Sequence, residues 1–262
     1  MAIKMMKRRI FAGNTCEQIV YNIPEGSKKP KQYDPEQPSR KRFKDEEERE
    51  RHKLEISRRS FIRLVNTNME PGDLYVTLTF DNEWEVHTFE DARKVRYNYI
   101  RTLTRKYPDA VIFAVMGRGR ATRRIHFHLL IKGVPEDFII KKWKYGKVID
   151  VDPLWEHVWY DGVDHGADYT KIANYLFEHW KPEQGGHRWF QTKNAKQPDK
   201  ETPTEVRVTG GYSERRPPIA PKGYKLVSMK ATPYGCIYFK YVLIPPNDDR
   251  RKAGKKDRGS SG

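Results

Sequence analysis

The sequence predicts an α+β fold in which helices back a central antiparallel sheet. Residues 74–80 alternate between apolar and polar side chains, as expected of a strand with one buried face. Residues 110–116 are continuously apolar and residues 125–131 alternate again, so both segments are predicted to be strands. One helix is predicted before this pair of strands and others after it, and this order favours antiparallel pairing.

The spacing of apolar residues predicts the helices. A highly charged helix over residues 43–65 is expected to be mostly exposed. The next helix begins after Thr88, with Asp91 at the position where a capping box usually has glutamate. Its apolar stripe consists of Phe89, Ala92, Val95, Tyr99, Leu103 and Tyr107. A short helix is predicted over residues 135–143 and a clear one over residues 168–180.

The domain organisation is predicted from composition. We expect an N-terminal arm and linker (1–42), a core (43–200), a C-terminal strand extension of the same domain (201–246) and a disordered tail (247–262). Residues 24–42 are rich in proline and charge, which is typical of a linker. Within the arm, only a short strand near residues 18–21 is predicted. The extension contains strands predicted over residues 205–208, 225–230 and 236–244, the last two joined by a turn.

The charge balance points to a polyanionic partner. The 262 residues include 51 Lys and Arg against 35 Asp and Glu, which gives a formal net charge of +16. Nucleic acid is the leading candidate, and a basic structural protein is the alternative. No apolar run approaches the length of a membrane-spanning helix, and two cysteines exclude a disulfide framework or a cysteine-based zinc site. A cytoplasmic location is expected. The absence of a phosphate-loop motif from the sequence excludes an ATP-driven helicase.

His126 and His128 are the clearest candidates for metal ligands. Side chains on a strand repeat every two residues, so both imidazoles are expected on one face. Two imidazoles on a rigid strand form half of a divalent metal site. An arginine-rich turn that precedes them is a candidate DNA-binding element, and it contains Arg118, Arg120, Arg123 and Arg124.

Tyr175 is the candidate nucleophile on the predicted helix 168–180. It lies at the edge of an apolar stripe that includes Tyr169, Ile172, Ala173, Leu176 and Trp180. Its neighbours on the same face are ionisable: Lys171, Glu178 and His179. A tyrosine in such surroundings suits attack on phosphorus, whereas Tyr169 shares the stripe and is expected to point elsewhere.

Taken in order, these motifs resemble the His-hydrophobic-His (HUH) endonucleases, and more narrowly the rolling-circle replication initiators of bacterial plasmids, integrative elements and phages. The matching positions are residues 76–81, His126 to His128 and Tyr175, and residues 188–194 are also similar to a segment of these initiators. The resemblance implies a ferredoxin-type core and a Mg²⁺ or Mn²⁺ ion held by the two histidines. It further implies that Tyr175 nicks single-stranded DNA through a 5′-phosphotyrosine intermediate. The implied partners are single-stranded DNA or an origin hairpin, with a host helicase and polymerase.

The sequence departs from the pattern of these initiators at two places. Many relatives carry a glutamate ligand on the preceding strand, but residues 115–118 contain no carboxylate. Many also carry a lysine three or four positions after the tyrosine, where this chain has Glu178 and His179. We therefore predict that one of these two supplies the third ligand, and the harder oxygen donor favours Glu178. Lys171 would then bind phosphate, and the alternative third ligand is water or Asp81.

A second candidate DNA-binding segment follows the histidines. It interleaves basic and aromatic side chains: Lys141, Lys142, Trp143, Lys144, Tyr145 and Lys147. Lysines of such a segment contact phosphates, and the aromatic rings stack on unpaired bases. The alternative is that Trp143 packs in the core.

Three other functions stay open. A mobilisation relaxase usually shows a three-histidine cluster, which is not evident in this sequence. A single-tyrosine transposase usually carries a polar metal ligand four residues after its tyrosine. A module that binds nucleic acid without cutting it is the alternative from a different class.

Overall fold

The structure is a computed structural model. It describes residues 2–23, 34–37, 43–84, 86–119, 124–146, 149–160, 162–180, 187–209, 211–213, 215–233 and 235–244. The tail expected over residues 247–262 lies outside the described residues. Among the residues described, no helix combines the length and apolar character needed to cross a bilayer.

The described part contains four α-helices and strands that form two larger sheets and a small ribbon. The helices are α1 (Glu46–Asn68), α2 (Phe89–Lys106), α3 (Glu136–Lys142) and α4 (Thr170–His179). The strands are β1 (Ala2–Ala12), β2 (Thr15–Tyr21), β3 (Leu74–Thr79), β4 (Val111–Arg118), β5 (Ile125–Lys132), β6 (Ile149–Pro153), β7 (Trp159–Tyr160), β8 (Val163–Asp164), β9 (Phe190–Gln191), β10 (Asp199–Lys200), β11 (Thr204–Thr209), β12 (Tyr224–Ala231) and β13 (Cys236–Leu243).

The first sheet has helices on both faces, as the predicted α+β fold requires. Its strands are antiparallel in the order β6-β3-β5-β4-β9. Helices α2 and α3 bury apolar residues against one face, where Leu78 and Phe127 lie in the core. Helices α1 and α4 cover the other face, where Phe113 and Leu130 are buried. Because His126 and His128 alternate with Phe127, they lie on the face of α1 and α4.

The elements predicted for the first sheet are confirmed. Strands β3, β4 and β5 and helices α2, α3 and α4 lie within a few residues of their predicted bounds. Thr88 caps α2, because its side chain accepts a hydrogen bond from the Asp91 amide. Helix α1 is exposed over its charged first turns but buries Phe61, Leu64 and Val65 at its end.

The second sheet is where the structure differs from the sequence prediction. Its antiparallel path is β10-β1-β2-β13-β12, with β11 also paired to β1. The first 21 residues are therefore not part of an arm. They form a hairpin at the centre of this sheet, much longer than the short strand expected near residues 18–21. Strands β11, β12 and β13 confirm the predicted C-terminal strands, and they join this hairpin instead of extending the first sheet.

Buried ion pairs hold the second sheet against α1. Arg63 of α1 contacts Glu36 at 2.8 Å, and it also pairs with Glu17 of β2. Arg8 of β1 contacts Glu36 at 3.3 Å and Asp34 at 3.1 Å. Residues 34–37 lie within the predicted linker, and their carboxylates anchor this part of it. Burial alone would raise the pKa of Glu17, but its arginine partners lower that pKa overall.

Polar contacts also fix the start of α4. Asp168 accepts hydrogen bonds from the backbone amide and hydroxyl of Thr170, at 3.0 and 2.6 Å. Asn66 of α1 accepts a hydrogen bond from the Tyr169 amide at 2.9 Å. These contacts determine where the helix that carries Tyr175 and His179 lies on the first sheet.

Candidate metal and nucleophile site

Strand register places both strand histidines beside hydroxyl groups of β3. In the antiparallel pairing, His126 lies opposite Thr79 and His128 lies opposite Thr77. On the other side of β5, His126 lies opposite Gly117 of β4. Cross-strand partners project from the same face, so these side chains form a polar patch on an otherwise apolar surface.

A third histidine completes a cluster with these two. His179, in the last turn of α4, lies over the same face, and its ring centroid is 4.3 Å from that of His128 and 5.7 Å from that of His126. One potential ligand atom from each of the three histidines lies within 4.8 Å of the others. Two nitrogens bound to one ion at about 2.1 Å each can be no more than about 4.2 Å apart. A small side-chain adjustment therefore closes the three nitrogens around an ion.

His128 has the chemical state of a metal ligand. Its side chain is 4% exposed, and its Nε2 has no hydrogen-bond partner among the described residues. Its Nδ1 lies 2.8 Å from the hydroxyl of Tyr75 and 3.2 Å from that of Thr77. Burial, together with His179 and His126, lowers the pKa of His128 to about 3. The imidazole is therefore neutral, and Nε2 can offer a lone pair to an ion when Nδ1 carries the proton.

The other two imidazoles are also prepared to bind an ion. Nδ1 of His179 lies 2.8 Å from the backbone oxygen of Tyr175. A carbonyl oxygen can only accept a hydrogen bond, so Nδ1 carries the proton and Nε2 keeps its lone pair. Burial is the largest cause that lowers the pKa of His126, and His179 adds to it.

Gly117 makes room for the cluster. A Cβ atom at this position would lie 2.6 Å from Nε2 of His126 and 2.9 Å from Cδ2 of His179. The sequence reasoning noted only that residues 115–118 lack a carboxylate and did not identify this role. It also missed Tyr75 and Thr77 as partners of His128. The signal for all three was available, since alternate residues of neighbouring strands share a face.

Tyr175 is the exposed hydroxyl at the cluster. Its side chain is 49% exposed, and its ring centroid lies 4.3 Å from that of His179 and 5.5 Å from that of His128. Tyr169, by contrast, is buried before the first turn of α4, and its hydroxyl donates a hydrogen bond to the backbone oxygen of Trp155. Solvent and a polymeric substrate therefore reach Tyr175 more readily than Tyr169.

The remaining residues predicted at the centre lie apart from the three imidazoles. The carboxylate of Glu178 contacts Arg58 of α1 at 3.2 Å, and it is not part of the cluster. Lys171 is exposed one turn before Tyr175, and its charge acts on His165. Asp81 follows β3 and is only partly buried, although its Oδ1 is enclosed without a hydrogen-bond partner among the described residues.

The predicted DNA-binding residues fall into three groups. Arg118 donates to the backbone oxygen of His87 at 3.1 Å, and Arg124 donates to the side chain of Asn82. Lys141, Lys142, Lys144 and Tyr145 are at least partly exposed. Trp143 is 5% exposed and packs in the core, as the alternative interpretation expected, so its ring is not available for stacking. The positions Arg120, Arg123 and Lys147 lie outside the described residues.

Comparison with known proteins gives one match. Residues 73–183 match the family model of the replication-associated protein ORF2. This segment contains His126, His128, Tyr175 and His179, whereas β1, β2 and the C-terminal strands lie outside it. The chain is thus similar to a family of replication initiators, and the similarity suggests that it interacts with DNA. No curated protein and no solved structure shows significant similarity to the chain.

Proposed function

We propose that this chain is a metal-dependent endonuclease that nicks and rejoins single-stranded DNA to initiate rolling-circle replication. The observation that carries the proposal is the position of Tyr175 beside three clustered histidines, within the segment similar to replication-associated proteins. The resemblance to HUH endonucleases adds the same chemistry from the sequence alone.

The cluster fits a divalent transition metal. His126, His128 and His179 would be its ligands, since the unpartnered Nε2 of His128 has the orientation and protonation that an ion requires. Three imidazoles suit Mn²⁺ better than Mg²⁺, which prefers oxygen donors. A bound ion would act as a Lewis acid that stabilises charge developing on the phosphate oxygens. We choose His179 over Glu178 as the third ligand because Glu178 is engaged with Arg58.

Tyr175 supplies the nucleophile in this proposal. Its hydroxyl oxygen attacks the scissile phosphorus and loses its proton, a Tyr175–phosphate bond forms, and the bond from phosphorus to the 3′ oxygen breaks. The departing 3′ oxygen takes up a proton and becomes a free hydroxyl that can prime synthesis. Attack by a 3′-hydroxyl on the phosphotyrosine reverses these steps and rejoins the strand without external energy.

One observation favours a second candidate, a single-tyrosine strand transferase or relaxase. The sequence argument against relaxases was that no three-histidine cluster is evident, yet the folded chain forms one. Its third member lies four residues after Tyr175, as expected of single-tyrosine transposases. The similarity to replication-associated proteins favours replication, but the cutting chemistry is the same in all of these classes.

Trapping the covalent intermediate tests the proposal. The protein is incubated with Mn²⁺ and single-stranded oligonucleotides that tile the DNA element encoding it. We expect an SDS-resistant adduct whose mass maps to the peptide containing Tyr175. The Tyr175→Phe variant should form none, while Tyr97→Phe, at an exposed tyrosine of α2, should form a normal amount. The absence of an adduct from the wild-type protein would leave the DNA-binding module as the better interpretation.

A further inference from the structure

The largest exposed aromatic side chain near the start of β5 is one that the sequence reasoning did not consider. Trp84 ends a short 3₁₀ helix (Asn82–Trp84) that follows β3, and it is 52% exposed. Strand β3 ends at Thr79, which pairs with His126 near the start of β5. Trp84 therefore lies at the histidine end of the first sheet.

Aromatic packing supports Trp84 from beneath. Its ring makes an edge contact with Tyr145, with centroids 5.9 Å apart. Tyr145 in turn packs on the buried Trp143 at 5.2 Å and on Phe80 at 6.1 Å. Tyr145 is itself held against the end of β3, because its backbone oxygen accepts a hydrogen bond from the Asp81 amide at 3.0 Å. The exposed indole thus stands on a rigid aromatic support that continues into the core.

Two arginines hold the loop that presents Trp84. Arg124 donates to Asn82, at the start of the 3₁₀ helix, and Arg118 donates to the backbone of His87, a few residues after it. Both arginines belong to the turn between β4 and β5 that the sequence singled out for DNA binding. A fixed loop lowers the entropic cost of binding, because the ring is oriented before its ligand arrives.

The charges around this aromatic surface favour a polyanion. Among the described residues, Arg118, Arg124 and the exposed Lys144 lie close to Trp84 in the fold or beside Tyr145 in the chain. The carboxylates of Asp81 and Glu83 lie on the same loop, so the basic excess here is small. An aromatic face with adjacent cations suits an unpaired nucleotide, whose base stacks while its phosphate is neutralised. Bases in a duplex do not offer a free face.

We infer that Trp84, supported by Tyr145 and flanked by Arg124 and Lys144, is a stacking site for an unpaired base of the DNA strand. The inference rests on the proposed function, because it places single-stranded DNA at the end of the sheet where His126 lies. It replaces the predicted stacking role of Trp143, which is buried, with a neighbouring residue that the strand can reach.

Binding without metal separates this inference from the proposed chemistry. The affinity for a labelled mixed-sequence single-stranded oligonucleotide is measured by fluorescence anisotropy in EDTA. We expect Trp84→Ala to weaken binding about tenfold, or about 1.4 kcal/mol, within the range for one stacked base. Trp84→Phe should retain most of the affinity. The matched control is Trp155→Ala, because Trp155 is 69% exposed and follows Leu154, which bonds to Asp73 at the opposite end of β3.

Three results would overturn the stacking site. The first is equal affinity of Trp84→Ala and Trp155→Ala for the single strand. The second is an equal loss for a duplex of the same sequence, and the third is no binding of the single strand by the wild-type protein. A wild-type protein that binds through Trp84 but forms no Tyr175 adduct would instead refute the nicking chemistry and leave the stacking site intact.

Discussion

Lys240 of β13 donates a hydrogen bond to Asp168, which precedes α4, with 2.5 Å between Nζ and Oδ2. Asp168 is completely buried, and Lys240 also contacts the hydroxyl of Thr170 at 2.6 Å. A residue of the second sheet therefore fixes the helix that carries Tyr175 and His179. The candidate site depends on strands that lie outside the segment similar to replication-associated proteins.

Removing this lysine should destabilise the protein. Lys240→Met leaves the Asp168 charge buried without its ion-pair partner, so we expect the free energy of unfolding to fall by about 3 kcal/mol. Urea unfolding measures the change. The control is Lys230→Met on β12, whose exposed pair with Glu55 should contribute less than about 1 kcal/mol. Equal losses from the two variants would contradict the anchoring role of Lys240.

Adding one methyl group at Gly117 should abolish tight metal binding. The new Cβ of Gly117→Ala would overlap Nε2 of His126 and displace His179, so Mn²⁺ affinity should fall at least tenfold by calorimetry. Arg118→Ala serves as the control, because its guanidinium lies over Phe89, on the opposite face of β4. Unchanged Mn²⁺ binding by Gly117→Ala would mean that the ion binds elsewhere.

The identity of the third ligand is tested by a pair of adjacent substitutions. We expect His179→Gln to weaken Mn²⁺ binding by about tenfold or more, because it removes one of three ligands. Glu178→Gln should change it little, since this carboxylate faces Arg58. Calorimetric titration distinguishes the two, and the reverse result would favour the carboxylate that the sequence reasoning preferred.

The hydroxyl of Tyr75 should contribute to metal affinity without touching the ion. It contacts Nδ1 of His128 and helps to orient the ring. Loss of such a partner typically costs about tenfold or more in affinity, so Tyr75→Phe should bind Mn²⁺ correspondingly more weakly. Tyr99→Phe, which loses a buried hydrogen bond on the other face of the sheet, should bind Mn²⁺ normally. Matching affinities for these two variants would show that His128 needs no support from Tyr75.

Acid should remove the stabilisation that Glu17 provides. Its pKa is lower in the folded protein than in the unfolded chain, where it is about 4.3, because Arg63 and Arg59 outweigh the effect of burial. The stabilisation is therefore complete above the unfolded pKa and is lost as the pH falls through the folded pKa. At pH 7, Glu17→Gln should be less stable than wild type by about 3 kcal/mol.

The difference between wild type and Glu17→Gln should narrow as the pH of urea unfolding is lowered below the unfolded pKa. Glu46→Gln, at the exposed start of α1, should show little difference from wild type at neutral pH. A gap for Glu17→Gln that is constant with pH would show that the carboxylate charge is not what stabilises the native state.

The periodic elements could be predicted from the sequence, because their apolar spacing follows directly from burial on one face. This holds for β3, β5 and α4, and it placed His126, His128 and Tyr175 on the correct elements. The β1 strand could not be predicted this way. Its Lys7, Arg8 and Arg9 interrupt the apolar pattern, and Arg8 is buried only because Asp34 and Glu36 pair with it.

The details of the site depend on long-range contacts that the sequence pattern does not contain. Glu178 and His179 are nearly equivalent by helical angle, and the contact of Glu178 with Arg58 distinguishes them in the fold. Trp143 and Trp84 are likewise both plausible stacking residues in the sequence. The hydrogen bond from Nε1 of Trp143 to the Thr79 backbone accompanies its burial in the core, whereas Trp84 stays exposed.

The pairing of β2 with β13 has a consequence for synthesis on the ribosome. Val20 pairs with Ile237, so the N-terminal hairpin exposes an unpaired edge until the last strands emerge. At roughly 5–20 residues per second, this interval lasts on the order of ten to forty seconds. Because Lys240 emerges with β13, the nucleophile helix gains its anchor only near the end of translation. A nascent chain therefore completes its candidate cutting site after nearly all of the protein has been made.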